Sequence, residues 1–442
     1  MDQVTRRQPA ATSHQKDEAL VRAIGVRRLT AGIINVTIGA GIFVLPAVAA
    51  ARLGPAAPLA YIVCAALMAL IVTCIATAGS RVSLTGGLYA YVEVAFGPFV
   101  GFLAGAIYCL QCVFAAASVA SAFVGSIGSV WPGAGAGVGR ILVLILLFGA
   151  LAATNVRGVR HGAGLVELTT LAKLLPLLVL VVTGIWFVRS DYLVWRSMPT
   201  LSQVGRSAIV LIFAFVGVEV ALVPSGEIVD PSRTVPRALF LAFATTTAIY
   251  LLIQTVAQGL LGPALATHAN APLAAAASQV LGQGGRLFVI GGAAVSMFGY
   301  LSGDMLGSPR AFYALARDGI LPRDLARIHP RYRTPHVAII GYSLLVGLIA
   351  ATSGFVQLAI LANIAVLSLY LLCVGASYEL TRRDVRTGPT AFNLPGGPII
   401  PILATTVILW LLSQATIREF AIEGLVLLAA SLMYGARKLI QS

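Results

Sequence analysis

The feature that most constrains this chain is a succession of long apolar stretches separated by short polar segments. Each stretch has about 17–30 residues, and about 20 apolar residues cross the hydrocarbon core of a bilayer as a helix. Only 10% of the residues are charged, whereas a soluble domain carries about 25%. We therefore predict an all-α polytopic membrane protein with twelve transmembrane helices in a lipid bilayer. The stretches lie at residues 29–50, 57–79, 98–126, 137–154, 162–187, 205–226, 236–261, 284–314, 336–352, 355–378, 399–416 and 420–436.

Basic residues predict the orientation of these helices. They concentrate in alternate polar segments, above all 1–28, 310–333 and 382–386, whereas the intervening segments hold isolated arginines such as Arg52 and Arg140. Because Lys and Arg accumulate on the cytoplasmic side, both termini are predicted to be cytoplasmic. The same distribution accounts for the net charge of +14, so nucleic acid is not expected as a partner.

Two of the apolar stretches contain interruptions that a simple membrane-spanning helix would avoid. The first is the run Gly39-Ala40-Gly41 with Pro46 after it, and the second is centred on Gly217 with Pro224 after it. Interrupted helices at matching positions of two halves indicate the binding site of an inverted-repeat transporter. The alternative for an isolated Gly-Ala-Gly is close packing of helices.

An unwound backbone at these positions can bind a zwitterion. We expect the small residues Gly39, Ala40 and Gly41 to leave helical geometry. The amide N–H groups that open the following half-helix would then bind a carboxylate. At the second interruption, exposed carbonyl oxygens would bind an ammonium group, and Phe213 and Phe215 would close over the substrate. The alternative for both phenylalanines is lipid contact or core packing.

Lys173 is the only lysine within a predicted helix. A charged residue at that depth is costly and indicates a functional site. A buried amine can gain and lose a proton near neutral pH, so we interpret Lys173 as a proton-coupling residue. The alternative is a permanent structural cation that binds nearby carbonyls.

Three acidic residues also lie in or beside predicted helices. Glu219 is a candidate second protonation site, and Glu167 lies nearer the interface. Asp304 could pair with Lys173 or recognise a cationic substrate. The sequence contains no Ser/His/Asp set, zinc-spaced cluster or phosphate-binding loop, so we expect no enzyme, metal or cofactor chemistry.

At four segments the chain resembles the amino acid–polyamine–organocation transporter superfamily. They are similar to its broken first helix, its sixth helix and following loop, its fifth-helix entry with a lysine, and its cytoplasmic Ala-Arg-Asp-Gly-x-Leu-Pro loop. Asp230 stands where the family more usually has Asn. The segments are Ile38–Phe43 with Pro46, Phe213–Glu219 with Glu227–Ala238, Asn155–Arg160 with Thr170–Leu174, and Ser308–Arg310 with Ala316–Pro322, His329–Arg331 and Thr334–Pro335.

The resemblance covers roughly residues 25–440 and implies a fold, a substrate class and a site. The fold is a LeuT-type core of two inverted five-helix repeats, 29–187 and 205–378, with helices 1 and 6 broken and two extra helices at 399–437. The substrates are amino acids or related amines. Gly39 to Ile42 would bind the carboxylate, and the amine would lie at the segment Phe213, Ala214, Phe215, Val216 and Gly217. Lys173 would couple protons with help from Glu219, and either Phe298 or Tyr300 would line the pocket.

The leading hypothesis is a proton-coupled amino acid transporter working by alternating access, for neutral or possibly cationic substrates. An amino acid or amine exchanger without net proton movement is the alternative within that class. A non-transporting amino acid sensor would need a soluble output domain, and the polar tail of 28 residues is too short for one. Abundant Ala, Gly and Arg with three lysines suggest a bacterial protein of the inner membrane.

Overall fold

The computed structural model describes residues 24–82, 87–158, 163–195, 197–217, 222, 228–317, 321–385, 392 and 396–441, with the backbone alone at 163–171 and 436–441. Regular structure in these residues is helical, apart from one isolated bridge between Ile24 and Ile228. The α-helices are α1 Val26–Thr37, α2 Gly41–Leu53, α3 Ala57–Arg81, α4 Leu88–Phe96, α5 Pro98–Gly128, α6 Gly137–Val156, α7 Ala163–Gly184, α8 Leu201–Leu211, α9 Pro231–Leu261, α10 Pro272–Arg317, α11 His336–Thr352, α12 Phe355–Arg382, α13 Ile399–Leu412 and α14 Ile417–Gln441.

Short helical turns lie between several of these helices. One four-residue α-helical turn covers Pro132–Gly135. The 3-10 turns are Gly54–Ala56, Ile185–Phe187, Ser190–Tyr192, Ile212–Phe215, Gly262–Thr267 and Arg323–Ala326.

Helix ends follow the local chemistry of the sequence. Pro98, Pro231 and Pro272 each occupy a first helical position, where the missing N–H leaves no hydrogen bond unmade. At the start of α8, the Gln203 amide donates to the Thr200 hydroxyl and the Gln203 side chain accepts from the Thr200 amide. This reciprocal cap fixes where α8 begins.

Six helical segments of the described residues are long and apolar enough to cross a bilayer. A seventh is possible if Ile399–Leu412 and Ile417–Gly435, which are bent by 114° at their junction, form one span. The chain is therefore a polytopic membrane protein. The six are Gly41–Arg81, Pro98–Gly128, Gly137–Val156, Pro231–Thr267, Pro272–Arg317 and Phe355–Arg382.

The six segments do not correspond one to one with the twelve predicted helices. The first predicted span is divided at residues 38–40, and its second half continues through a 3-10 turn into α3. The sixth predicted span stops being α-helical at Leu211. Other predicted spans are shorter apolar helices, such as His336–Thr352.

The two halves of the first predicted span pack against different helices. Helix α1 packs mainly against α9 and α7, and α2 packs against α8 and α10. Helix α5 in turn packs along α12 and α10. The interruption between α1 and α2 is thus surrounded by helices from both halves of the chain.

Candidate functional site

The first break is a three-residue gap between α1 and α2. Ile38 makes the last helical hydrogen bond of α1, to the Ile34 carbonyl at 2.9 Å, and the Gly39 amide then donates to the Thr37 carbonyl at 2.9 Å. Helix α2 restarts at Gly41. Its first amide N–H groups have no acceptor within their own helix, and they lie at the positive end of the helix dipole.

Gly41 is required by a close approach rather than by an unusual backbone angle. Neither Gly39 nor Gly41 has a positive φ. A Cβ atom on Gly41 would lie 2.8 Å from Ala214 Cα, which is closer than two carbon atoms can approach. A Cβ atom on Gly39 would meet nothing nearer than Tyr300, at 3.7 Å.

The second break follows α8 and differs in shape. The helix tightens into the 3-10 turn Ile212–Phe215, after which Val216 is extended with φ −74° and ψ 149°. Gly217 has φ 130°, which glycine adopts readily and other residues avoid. A Cβ atom there would lie 3.1 Å from the Thr37 amide nitrogen. The two breaks are therefore in direct main-chain contact.

Both breaks open onto one narrow cavity. Its empty space, including the mouth, is about 330 Å³. Helix α5 contributes Ala115 and Val119 to one wall, and α10 contributes Tyr300. The cavity is lined by Val36, Thr37, Gly39, Ala40, Gly41, Ala115, Val119, Phe213, Val216, Gly217 and Tyr300.

Lys173 binds the carbonyl groups that the first break exposes. Its side chain is 2% exposed, and its ammonium donates to the Ile38 carbonyl at 3.0 Å and to the Asn35 carbonyl. A buried ammonium is tolerated where such acceptors replace its water. The side chain thus connects α7 to the end of α1.

Two more side chains bind the same break. The Ser296 hydroxyl of α10 lies 3.1 Å from the Ile38 carbonyl and 3.3 Å from the Gly39 carbonyl. The Tyr250 hydroxyl of α9 lies 3.1 Å from the Thr37 carbonyl and 2.7 Å from the Ala214 carbonyl. With a single O–H, Tyr250 donates to one of them at a time, so it links the first break to the second.

Asn363 of α12 caps the helix that leads into the second break. Its amide nitrogen donates to the Ile209 carbonyl at 2.7 Å and to the Val210 carbonyl at 3.2 Å. The side chain is fully buried. These carbonyls belong to the last turn of α8, where intrahelical donors run out.

The predicted binding residues divide into those that line the cavity and those behind it. Gly39, Ala40, Gly41, Phe213 and Gly217 line the cavity. Ile42, Ala214 and Phe215 are buried but do not belong to its lining.

Phe215 faces away from Phe213. The two residues are two positions apart on a 3-10 turn, so their side chains point in different directions. Phe213 meets Phe355 edge-on at 5.5 Å, whereas Phe215 packs on Tyr250 at 5.3 Å. Phe215 also lines a separate, mainly apolar cavity with Ile33 and other residues. The position of Phe215 therefore agrees with the alternative of core packing rather than with closure over a substrate.

Phe298 does not line the cavity, and its assignment is corrected in favour of Tyr300. Phe298 lies on the outer face of α10 with 46% of its surface exposed. Two positions along an α-helix rotate a side chain by about 200°, so Tyr300 on the same helix faces inward. Of the other predicted residues, Glu219 and the side chain of Glu167 lie outside the described residues.

Sequence reasoning missed three supporting residues, Tyr250, Ser296 and Asn363. Each is a polar side chain within an apolar helix, which is a recognisable sign of an interhelical hydrogen bond. The sequence does not show which carbonyl such a side chain meets, because its partners are more than 30 residues away.

Comparison with known proteins supports a common architecture over nearly the whole chain. The amino acid permease family matches residues 24–424. A serine/threonine exchanger from Bacillus subtilis is 28% identical, over 96% of this chain and 99% of that protein. A branched-chain amino acid permease from the same organism is 26% identical, over 97% and 96%. A methylthioribose transporter, also from Bacillus subtilis, is 28% identical over 93% and 92%.

Proposed function

We propose that this chain, which belongs to the amino acid permease family, is a secondary active transporter that carries amino acids across the cytoplasmic membrane by proton-coupled alternating access. The observation that carries the proposal is the meeting of two main-chain breaks at one cavity. A small zwitterion needs hydrogen-bond donors for its carboxylate and acceptors for its ammonium group. The amide groups that open α2 supply the donors, and main-chain carbonyls beside the second break supply the acceptors.

The proposal includes an architecture. Twelve membrane-spanning helices form two inverted repeats of five, residues 29–187 and 205–378, followed by two further helices at 399–437. The N-terminal tail, 1–28, and the C-terminus lie in the cytoplasm, and the protein resides in the inner membrane of a bacterium. The asymmetry of basic residues supports this orientation.

Proton coupling is assigned to Lys173, with Glu219 assisting. The Lys173 ammonium binds two carbonyls at the first break. Loss of its proton removes the positive charge and one N–H donor, which weakens the connection between α7 and α1. Protonation and the geometry of the cavity are thereby linked.

An exchanger is the second candidate, favoured by the similarity to a serine/threonine exchanger. The substrate is a neutral amino acid in the first instance, since no acidic side chain lines the cavity among the described residues. A cationic amino acid remains the alternative.

Uptake into proteoliposomes tests these proposals. Purified protein is reconstituted and tested with labelled serine, threonine, leucine, isoleucine and valine, with and without an inward proton gradient. We expect gradient-driven accumulation of at least one of them. Counterflow without accumulation would identify an exchanger, and neither activity with any amino acid, cationic ones included, would overturn the proposed function.

Substitution of Lys173 tests the coupling. Lys173→Ala is expected to retain counterflow and to lose accumulation above equilibrium, because binding survives while the protonatable group is gone. Lys16→Ala, in the polar N-terminal segment, removes a lysine outside the predicted helices and serves as the matched control. Accumulation by Lys173→Ala at the wild-type level would leave Lys173 as a structural cation.

A further inference from the structure

Helix α10 carries a polar stripe that extends beyond the cavity. Ser296, Tyr300, Asp304 and Ser308 follow one another at intervals of four residues and share one face of the helix. Ser296 binds the first break and Tyr300 lines the cavity. Asp304 and Ser308 lie further along, towards the end of α10 that carries Arg310. The transport chemistry described above makes no use of them.

Asp304 is bound by two neutral hydroxyl groups. The Ser308 hydroxyl donates to Asp304 Oδ1 at 2.6 Å, and the Tyr342 hydroxyl of α11 donates to Asp304 Oδ2 at 2.7 Å. The Tyr342 oxygen also lies 3.2 Å from the Cys112 carbonyl of α5. The carboxyl group therefore joins three helices between the cavity and one end of α10.

This arrangement accepts both protonation states of the carboxyl group. When Asp304 is ionised, Tyr342 donates its single proton to Oδ2. When Oδ2 carries a proton, the new O–H can donate to the Tyr342 oxygen, and Tyr342 can turn its own proton to the Cys112 carbonyl. Every oxygen involved keeps a partner in either state, so the polar groups do not oppose the change.

Within the described part of the chain, no cation pairs with Asp304. None of the described Lys, Arg or His residues forms an ion pair with it. The titratable groups that face it are Cys112 and Tyr342, both uncharged. Lys173 binds the same carbonyl as Ser296, and Ser296 precedes Asp304 on α10 by eight residues, or about 12 Å.

Two further charged groups on elements that pack against α10 have other partners. Arg140 of α6 donates hydrogen bonds to the Ser121 hydroxyl and the Ser353 carbonyl. Asp324, in the turn Arg323–Ala326, pairs with Arg327 at 2.8 Å. An ionised carboxylate within a bilayer without a cation is costly, and binding of a proton removes that cost.

On the basis of the proposed transport function, we propose that Asp304 is a second proton-binding site of the transport cycle, located between the cavity and the Arg310 end of α10. A proton from water forms an O–H bond at Oδ2 and leaves by the same atom on release. The ligand is a proton rather than a substrate amine, because Asp304 does not belong to the lining of the cavity.

Infrared difference spectroscopy tests this without any substrate. The full chain in lipid nanodiscs is titrated with acid, and the C=O stretching band of protonated carboxylic acids is followed. Asp304→Asn is expected to lose a titrating band that the wild type shows. Glu423→Gln, which removes another buried carboxyl group, and Asp324→Asn, which removes an exposed one, are expected to keep it. An unchanged band in Asp304→Asn would overturn the proposal.

Tyr342→Phe provides a second variant in case Asp304→Asn does not fold. Loss of the Tyr342 hydroxyl should shift the frequency of the Asp304 band. An unshifted band would contradict the hydrogen bond between Tyr342 and the protonated Asp304. In proteoliposomes, Asp304→Asn should retain counterflow of labelled serine, threonine or leucine and carry fewer protons per substrate. An unaltered proton-to-substrate ratio would also overturn the proposal. Absence of transport by the wild type would contradict the proposed function instead, while the infrared result would still stand.

Discussion

Side chains from other helices donate hydrogen bonds at both breaks, and the donor groups differ in their chemistry. Besides the hydroxyls of Ser296 and Tyr250, the ammonium of Lys173 binds the first break, and the neutral amide of Asn363 binds the end of the helix that leads into the second. In the proposed repeat, their helices α7 and α12 are the fifth helices of the two halves. An ammonium can lose the proton with which it binds a carbonyl, whereas an amide keeps both of its hydrogens at any physiological pH.

In the proposed transport cycle, this difference separates the two breaks. The link through Lys173 can respond to a proton, and the link through Asn363 cannot. Between them, Tyr250 and the contact of Gly41 with Ala214 connect the breaks to each other. The two breaks are therefore joined by direct contact.

The largest effect is expected where the breaks touch. Gly41→Val places side-chain atoms where Ala214 Cα would lie 2.8 Å from the new Cβ. The breaks must separate, and a misplacement of about 1 Å at an active site can lower a reaction rate about 100-fold. We expect amino acid binding, measured by scintillation proximity with the transported substrate, to fall by about that factor.

A valine on the outer surface controls for β-branching itself. A Cβ atom on Gly149 of α6 would meet nothing within 4 Å, so Gly149→Val should bind normally. Normal affinity in Gly41→Val would contradict the assignment of the first break to substrate binding.

Asn363→Ala sharpens the contrast between the two donors. It removes a donor from the Ile209 and Val210 carbonyls, and buried groups left without partners cost about 1–3 kcal/mol. We expect the free energy of unfolding in mixed micelles to fall by that amount, with no change in the pH profile of uptake. Asn155→Ala, which removes a bond within a single helix, should destabilise the protein less. A displaced pH profile in Asn363→Ala would remove the distinction drawn between the two breaks.

Tyr250→Phe breaks the hydrogen-bonded link between the two breaks. One hydroxyl is lost and one carbonyl loses its donor, so destabilisation of about 1–2 kcal/mol is expected. Tyr61 is a matched control, since it is equally buried and its hydroxyl has no partner in the described structure. Unfolding measurements should show Tyr61→Phe to be neutral or slightly stabilising. Equal losses in the two variants would refute the bridging role.

Ser296→Ala should have the smallest effect. The Ile38 carbonyl keeps Lys173 as a donor, so loss of one hydrogen bond should cost about 0.5–1.5 kcal/mol. Ser278→Ala on the same helix removes only a local bond to the Ala275 carbonyl and should be milder in the same unfolding assay. A loss above 3 kcal/mol in Ser296→Ala would mean that Lys173 does not hold the break by itself.

Prediction from the sequence succeeded where the signal is local. Family membership, inferred from the four motifs, is confirmed. The predicted interruptions coincide with residues outside the helices, at 38–40 and 216–217. The reason given for Gly41 was wrong, because Gly41 is helical and is required by its contact with Ala214. Ala214 is 173 positions away in the sequence, and no local pattern indicates that contact.

The choice between Phe298 and Tyr300 shows the same limit. Both are aromatic residues two positions apart, and composition does not favour either. The rotation of α10 about its own axis decides which one faces the cavity, and packing against α5 and α7 sets that rotation.

By itself, the sequence determined the membrane environment, the helical class, the family, the location of the two breaks and the presence of a lysine among apolar residues. Those properties follow from hydropathy and from small residues at particular positions. Only the tertiary structure decided that Lys173 binds the Asn35 and Ile38 carbonyls, that Asn363 binds the Ile209 and Val210 carbonyls, and that Asp304 meets Tyr342. These contacts join residues far apart in the chain, and helix packing, which local sequence does not encode, brings them together.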